Sequence, residues 1–284
     1  MNTRGAEPAL TGRGHDFPVA ERSCPVLRND WVHARYKHLE VEVDEPLTRA
    51  KAGEFFHLLC PGDGDDQPFL RRPMSVYAVK PEARRIGFLY KVTGPGTRAL
   101  AGLHTGDSLN AVGPLGCGFS FDVGWRRILV LARGVGMATM APLVPLASAG
   151  GVVVSAVLSA QTPGDVMRKE FVQGEDVDVH SVCDSDGSSA PDRVETLLRR
   201  LIEAQRPDML FTCGSNRLLV LAQRLCREYG LRGEVALDQQ MACAFGVCLC
   251  CVREFVVAGQ HVHQRVCCEG PVFDLHQVVA DSPW

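Results

Sequence analysis

The stretch MACAFGVCLCC, Met241–Cys251, is answered sixteen residues later by Cys267-Cys268-Glu269-Gly270-Pro271. Cysteines stand at Cys243, Cys248 and Cys251, in the C-x4-C-x2-C order, with Cys267 as a distant fourth. This is the plant-type spacing that holds a [2Fe–2S] cluster. Two irons and two sulfides need four thiolates, three from one curled loop and one from a separate segment. The longer gap must wrap the cluster with its backbone N–H groups facing sulfur, and the small Ala244 and Gly246 allow that. Structural zinc also takes four thiolates, usually as two tight C-x2-C knuckles. Here the second pair, Cys267-Cys268, is adjacent. Inert buried cysteines are the third reading. Cys250 and Cys268 each neighbour a candidate ligand and are read as bystanders. His261 and His263 alternate along an expected hairpin between Cys251 and Cys267, as solvated residues rather than ligands.

Working outward, the remaining cysteines of the twelve are scattered, and the N-terminus MNTRGAEPALTGRGHDF lacks the apolar core of a secretory signal. Both features favour a reducing, cytoplasmic setting and a metal cluster over disulfides. A net charge of -3 leaves no basic footprint for nucleic acid. The longest apolar run, Ile128–Ala147, is interrupted by Arg133, glycines and two prolines, so it reads as strand, turn and helix rather than a membrane span.

The chain divides by its periodicities. The first fifteen or so residues read as disordered. From Glu21 to Val112 short alternating runs, YKHLEVEV, FFHLLC, MSVYAV, RIGFLYKV and SLNAV, are separated by turns such as Pro61-Gly62-Asp63-Gly64. They predict a small antiparallel barrel, placed at 16–120. Strands and helices then alternate. Strands are expected at Arg127–Ala132, Val152–Leu158, Val177–Val182 and Met209–Thr212. Helices are expected at Met137–Ala149 (confined or kinked by Pro142 and Pro145), Arg193–Ala204 and Asn216–Tyr229 before Gly230. This predicts a doubly wound parallel sheet, an α/β domain at 121–235. The cysteine-rich unit, 236–284, is the third.

Three stretches of the barrel carry chemistry. In Arg72-Pro73-Met74-Ser75 a proline-fixed turn presents a guanidinium to phosphate and Ser75 to a ring edge. In Tyr90-Lys91-Val92-Thr93-Gly94-Pro95-Gly96-Thr97 the glycines allow a close approach to phosphate, and Thr97 is placed to cap a helix. Gly113-Pro114-Leu115-Gly116 marks the seam between the barrel and the sheet.

With these motifs and the cysteine segment in this order, the chain resembles the electron-transfer subunits of NAD-linked, heterotetrameric dihydroorotate dehydrogenases, within the ferredoxin reductase superfamily. The resemblance runs from about Val26 to Val278. It implies an FAD-binding barrel, a pyridine-nucleotide domain and a small iron–sulfur segment. It assigns FAD to Arg72, Pro73, Met74 and Ser75 with Tyr90, Lys91, Val92, Gly96 and Thr97. It assigns NADH or NADPH to Gly134, Gly136 and Cys213, and the cluster to Cys243, Cys248, Cys251 and Cys267. It further implies a partner: a catalytic dehydrogenase subunit carrying its own flavin. The chain departs from the family at Arg133, where a glycine is usual, and at Cys213-Gly214-Ser215, where Cys-Gly-Pro is usual. Arg133 either folds back, pairs with a phosphate or a carboxylate, or blocks the nucleotide. Cys213 is either beside the nicotinamide or an inert strand end.

The function expected from this reading is electron transfer from reduced pyridine nucleotide through FAD and [2Fe–2S] to the partner. Flavin is needed because hydride carries two electrons and the cluster accepts one at a time. The alternatives are a flavin and iron–sulfur shuttle that uses no nucleotide, and a non-catalytic protein whose cluster senses redox state.

Overall fold

The computed structural model describes residues 19–62, 68–167 and 177–280. The expected N-terminal disorder and the Asp63-Gly64 part of the first turn lie outside them. Among the described residues the strands form three sheets.

The first is a curled antiparallel sheet in the order β4-β3-β7-β1-β2-β6-β5. Its strands are β1 (Ala20–His33), β2 (Tyr36–Glu42), β3 (Phe55–Leu58), β4 (Arg72–Ser75), β5 (Ala78–Lys80), β6 (Arg85–Lys91) and β7 (Ser108–Leu115). Period-two alternation decides which side chains fill it. On β6, Ile86, Phe88 and Tyr90 turn inward beside Leu39, Val41, Phe56 and Leu58. Helix α1 (Pro95–Ala101) closes one end, with Leu100 fully buried. Inside, the Tyr90 phenol donates to Asn29 Oδ1 at 2.9 Å, and Asn29 donates to the Leu100 and Leu103 carbonyls.

The second sheet has the order β10-β9-β8-β11-β12-β15. Strands β8 (Arg127–Arg133), β9 (Val153–Ala160), β10 (Val177–Cys183), β11 (Met209–Cys213) and β12 (Arg232–Ala236) run parallel, and the central β8, β9 and β11 are the near-continuous apolar runs of strands covered on both faces. Helices α2 (Gly136–Met140), α3 (Leu143–Ala149), α4 (Pro191–Gln205) and α5 (Asn216–Tyr229) cover it. The single helix expected over Met137–Ala149 is two short ones, broken at Ala141-Pro142, where proline lacks the N–H that would continue the ladder. Two aromatic and aliphatic cores lie on the two faces, one around Val130, Phe211 and Trp125, the other around Leu131, Leu198 and Leu225.

The cysteine-rich unit is not appended to this sheet but looped out of it. The chain leaves at Ala236 and forms the hairpin β13 (Val252–Val257) and β14 (Gln260–Arg265). It then returns as β15 (Val272–Asp274), antiparallel to β12 with Ala236 opposite Val272. Buried Gln223 on α5 donates to the Leu275 and Val278 carbonyls and fixes the segment that follows.

Barrel and sheet are clamped by an ion pair. Arg35, at the β1–β2 turn, donates to both carboxylate oxygens of the buried Asp165 at 2.7 Å. Within the barrel Glu54 sits 3% exposed, with its carboxylate accepting the Lys51 N–H at 2.8 Å. Burial pushes this carboxyl up to about 7, against the amide and the Lys51 charge. A carboxyl whose folded value lies above its unfolded one stabilises fully in acid and loses that contribution as pH rises through the folded value. Wild type should therefore lose about 3 kcal/mol from this group between pH 4.5 and 7, while Glu54→Gln loses none of it. Buried His57, lowered to about 4 by burial and by Arg71, works in the opposite direction as pH falls from 6.5. The check is therefore the difference between wild type and Glu54→Gln in urea midpoints from pH 5 to 8. Parallel midpoints across that range would show that Glu54 is ionised throughout.

Candidate functional site

A cavity of about 340 Å³ opens where the barrel, the parallel sheet and the cysteine unit meet. The barrel contributes Phe55, Pro73, Met74, Ser75, Leu89 and Lys91 to its wall, with Thr93 and Thr97 at one end. The sheet contributes Gly136, Thr139, Cys213 and Gly214 from the ends of β8 and β11. Met241 and Pro271, flanking the cysteine unit, form a third side.

Just outside this cavity Arg72 lies against the turn into α1. A Cβ on Gly96 would meet Arg72 Nε at 2.6 Å, so only glycine lets the guanidinium rest on that backbone. The guanidinium is otherwise spent only on its own chain, donating to the Leu70 carbonyl. Thr97 caps α1 from its third residue: its Oγ1 accepts the Thr93 and Gly94 N–H groups at 2.9 and 3.0 Å. A guanidinium fork laid on a glycine backbone and a pinned turn suit a pyrophosphate, and the cavity beside them suits a flat ring. Val92 does not belong to this wall. It follows Tyr90 by two positions and packs with it on the barrel core, the face opposite Leu89 and Lys91. Tyr90 does line the cavity, while its hydroxyl is held inside the barrel by Asn29.

At the sheet, the turns after β8 and β11 touch backbone to backbone. A Cβ on Gly136 would stand 2.5 Å from the Cys213 carbonyl oxygen, and one on Gly214 would overlap the Arg133 carbonyl. The pair lies between β8 and β11, where the strand order reverses direction in sequence, the place where sheets of this kind bind ligands. Gly134 takes φ 56° and donates to the Ser159 carbonyl at 3.0 Å. It shapes the turn without lining the cavity. Cys213 does line it, yet the thiol is held neutral. Burial pushes it up to about 12 and Asp238 adds to this, while a hydrogen bond with Thr139 opposes them. Arg133 is turned away from the cavity. Its guanidinium donates to Ser159 Oγ at 2.7 Å and to both oxygens of Asp184 at 3.2 and 2.6 Å.

The cysteine unit brings its thiols together as two pairs. Cys243 Sγ accepts the Phe245 N–H at 3.4 Å and the Cys248 N–H at 3.5 Å, and also bonds the Cys248 side chain. Burial pushes the Cys243 thiol up, but these hydrogen bonds outweigh it and bring it down to about 6. Cys251 Sγ accepts the Cys267 N–H at 3.4 Å, and the Cys251 and Cys267 side chains bond each other. Left-handed residues at Ala244 (φ 64°), Gly246 (φ 76°) and Leu249 (φ 58°) coil the loop so that its amides face sulfur. Among the described residues no group of three or more His, Cys, Asp or Glu side chains closes around one ion. Two thiol pairs ringed by amides fit a two-iron cluster, one pair per iron, and do not fit a single tetrahedral zinc. Cys250 is exposed and faces the Gln240 carbonyl, whereas Cys268 Sγ lies 3.6 Å from Cys267 Sγ. His261 and His263 are exposed on the hairpin, and His261 bonds Glu254.

Arg265 is a residue the sequence did not single out. It donates to the Gly246 carbonyl at 3.3 Å and forks onto Glu269, bracing the coiled loop against the segment that carries Cys267. The signal was present as an arginine four residues before a glutamate, but it is common and local.

Residues 238–279 match the iron-sulfur cluster binding domain of dihydroorotate dehydrogenase B. In solved structures, the NADH-dependent reduced ferredoxin-NADP oxidoreductase superposes with a TM-score of 0.75 at 23% identity, over 95% of this chain and 92% of that one. The Plasmodium falciparum ferredoxin-NADP+ reductase superposes at 0.58 and 12% identity, over 72% and 88%. The fold is thus that of the ferredoxin reductases. Two proteins bear the same description, dihydroorotate dehydrogenase B (NAD(+)), electron transfer subunit. That of Desulforamulus reducens is 30% identical over 85% of this chain and 92% of its own length. That of Streptococcus pneumoniae serotype 4 is 30% identical over 85% and 93%. A reductase fold, a looped-out cysteine unit and relatives matched over nearly their whole length place this chain in one family: it belongs to the electron transfer subunits of dihydroorotate dehydrogenase B.

Proposed function

We propose that this protein draws electrons from reduced pyridine nucleotide at the cavity and passes them through the cysteine unit to a catalytic dihydroorotate dehydrogenase subunit in the cytoplasm. One observation carries the reading. Met241 and Pro271, which wall the cavity, stand two and four residues from Cys243 and Cys267, so a ring in the cavity and a cluster in the loop share a partition. Bound FAD would exchange hydride with nicotinamide and release electrons singly to the cluster. The chain's own residues do the positioning. Arg72 and the Gly96 turn would hold the pyrophosphate; Pro73, Met74 and Ser75 would bound the ring; Gly136, Gly214 and Thr139 would admit the nicotinamide. Cys243 with Cys248, and Cys251 with Cys267, would hold the two irons.

Delivery to a partner is supported by the outer surface of the same loop. Phe245, Val247 and Leu249 are 49%, 82% and 60% exposed on the cluster side, an apolar tip that a docking subunit would cover. Cys24, Cys60, Cys183, Cys213 and Cys226 are buried free thiols, which suits a reducing compartment. No described helix is long and apolar enough to cross a membrane.

The test is anaerobic mixing of the purified protein with NADH, following the flavin band and the cluster spectrum together. Bleaching of flavin followed by cluster reduction is expected, as is co-purification of a dihydroorotate-oxidising subunit from the native source. A flavin that NADH and NADPH leave oxidised would overturn the nucleotide part of the proposal. Within it, Arg72→Ala should weaken FAD binding by about 1.5–3 kcal/mol, the range for a charged hydrogen bond. FAD content after extensive dialysis measures this. Arg71 is already occupied by Glu21 and the His57 carbonyl and is not expected to compensate.

A further inference from the structure

We infer that the adenosine end of the nucleotide site receives a 2′-phosphate, through Arg133 with Ser159 and Arg217, so that this protein takes NADPH as well as NADH. The inference rests on the nucleotide reading above and adds the identity of the ribose substituent.

The cavity takes its sheet residues from the ends of β8, β11 and β12, including Gly136, Cys213 and Ala236. A dinucleotide whose nicotinamide enters there must lay its other half along the strand ends on the opposite side, β9 and β10. In sheets of this type a carboxylate near the end of the strand after the glycine turn takes the ribose 2′-hydroxyl and repels a 2′-phosphate, whereas an arginine accommodates the phosphate. Here the end of β9 and the turn after it read Ser159-Ala160-Gln161-Thr162, without an acid. The next acid, Asp165, is buried and fully engaged by Arg35 and Thr162.

What stands at this place instead is the Arg133 guanidinium, on Ser159 Oγ and partly open to solvent, its side chain 24% exposed. Its counter-ion Asp184 also accepts the Ser189 hydroxyl and feels the charge of Arg217. Two arginines therefore face one carboxylate, which leaves a positive charge in excess. The neighbouring Asp186 is occupied by the Ser188 amide and hydroxyl and lies near Arg193. A phosphate arriving on the ribose would find a fork, a hydroxyl and a second cation. Asp184 is the partner it must displace or share.

Titration calorimetry of the cofactor-loaded protein with ADP-ribose and 2′-phospho-ADP-ribose tests this, because neither ligand carries a hydride. At low salt the phosphorylated ligand should bind at least as tightly as the other, and added salt should erase its advantage. Arg133→Gln should shift the ratio of the two affinities roughly tenfold against the phosphorylated ligand, the scale of one lost charged hydrogen bond. Asp184→Asn, which frees Arg133, should shift it the other way. If ADP-ribose binds and the phosphorylated form is at least tenfold weaker in wild type and in Asp184→Asn, the inference falls while the nucleotide site stands. If neither ligand binds, the nucleotide reading itself falls and takes the inference with it.

Discussion

Serine at Cys243, Cys248 or Cys251 is expected to abolish the cluster: nearly all visible absorbance beyond that of flavin is lost, and acid-labile sulfide with it. Each thiol belongs to a pair, so removing one leaves an iron with an incomplete ligand set, and a serine oxygen replaces soft thiolate poorly. Cys250→Ser should change nothing, since Cys250 is exposed and turned to the Gln240 carbonyl. Cys267→Ser should be milder than the other three, because Cys268 Sγ lies only 3.6 Å from the missing sulfur and shares its approach to Cys251. The double substitution of Cys267 and Cys268 should then behave like Cys251→Ser. Stoichiometric zinc without sulfide in anaerobically prepared wild type would refute the ligand assignment.

The largest loss of stability from a single added methyl group is expected at Gly214→Ala. Gly214 has φ +105°, outside what an alanine adopts without strain, and its Cβ would overlap the Arg133 carbonyl. Backbone strain and overpacking together should cost on the order of 3 kcal/mol. Neither neighbour can yield, because both are main chain at the ends of central strands. Gly151→Ala is the control: φ is +65°, yet nothing lies within 4 Å of the added carbon. It should cost about 1 kcal/mol from backbone preference alone. Thermal midpoints of the two variants separate the terms, and equal midpoints would show that the β8–β11 turns have room to part. Gly214→Ala should also weaken nucleotide binding, since relieving the overlap separates the two turns.

How much of this was legible in the sequence depends on how local each cause is. The cysteine pairs, the barrel motifs and the β–α alternation are local patterns, and they led to the right fold. Val92 packs against the barrel core and does not line the cavity. The alternation of Ile86, Phe88 and Tyr90 already assigned its face to the barrel core. Strands β12 and β15 escaped notice because runs as short as Arg232–Ala236 and Val272–Asp274 show no period, and each is defined by a partner far along the chain. The orientation of Arg133 was undecidable for the same reason. Its direction is set by Ser159 and Asp184, which only the sheet brings beside it.

The return of the chain at β15 fixes more than topology. Because Ala236 and Val272 are opposed in neighbouring strands, the cysteine unit has both its ends at one seam, like a purse closed by its drawstring. A tethered carrier that swings between donor and acceptor needs one free end or a slack hinge, and this lobe has neither. The gap between flavin ring and cluster is then a constant of the fold. Turnover would have to be gated by the arrival of nucleotide or partner, not by travel of the cluster.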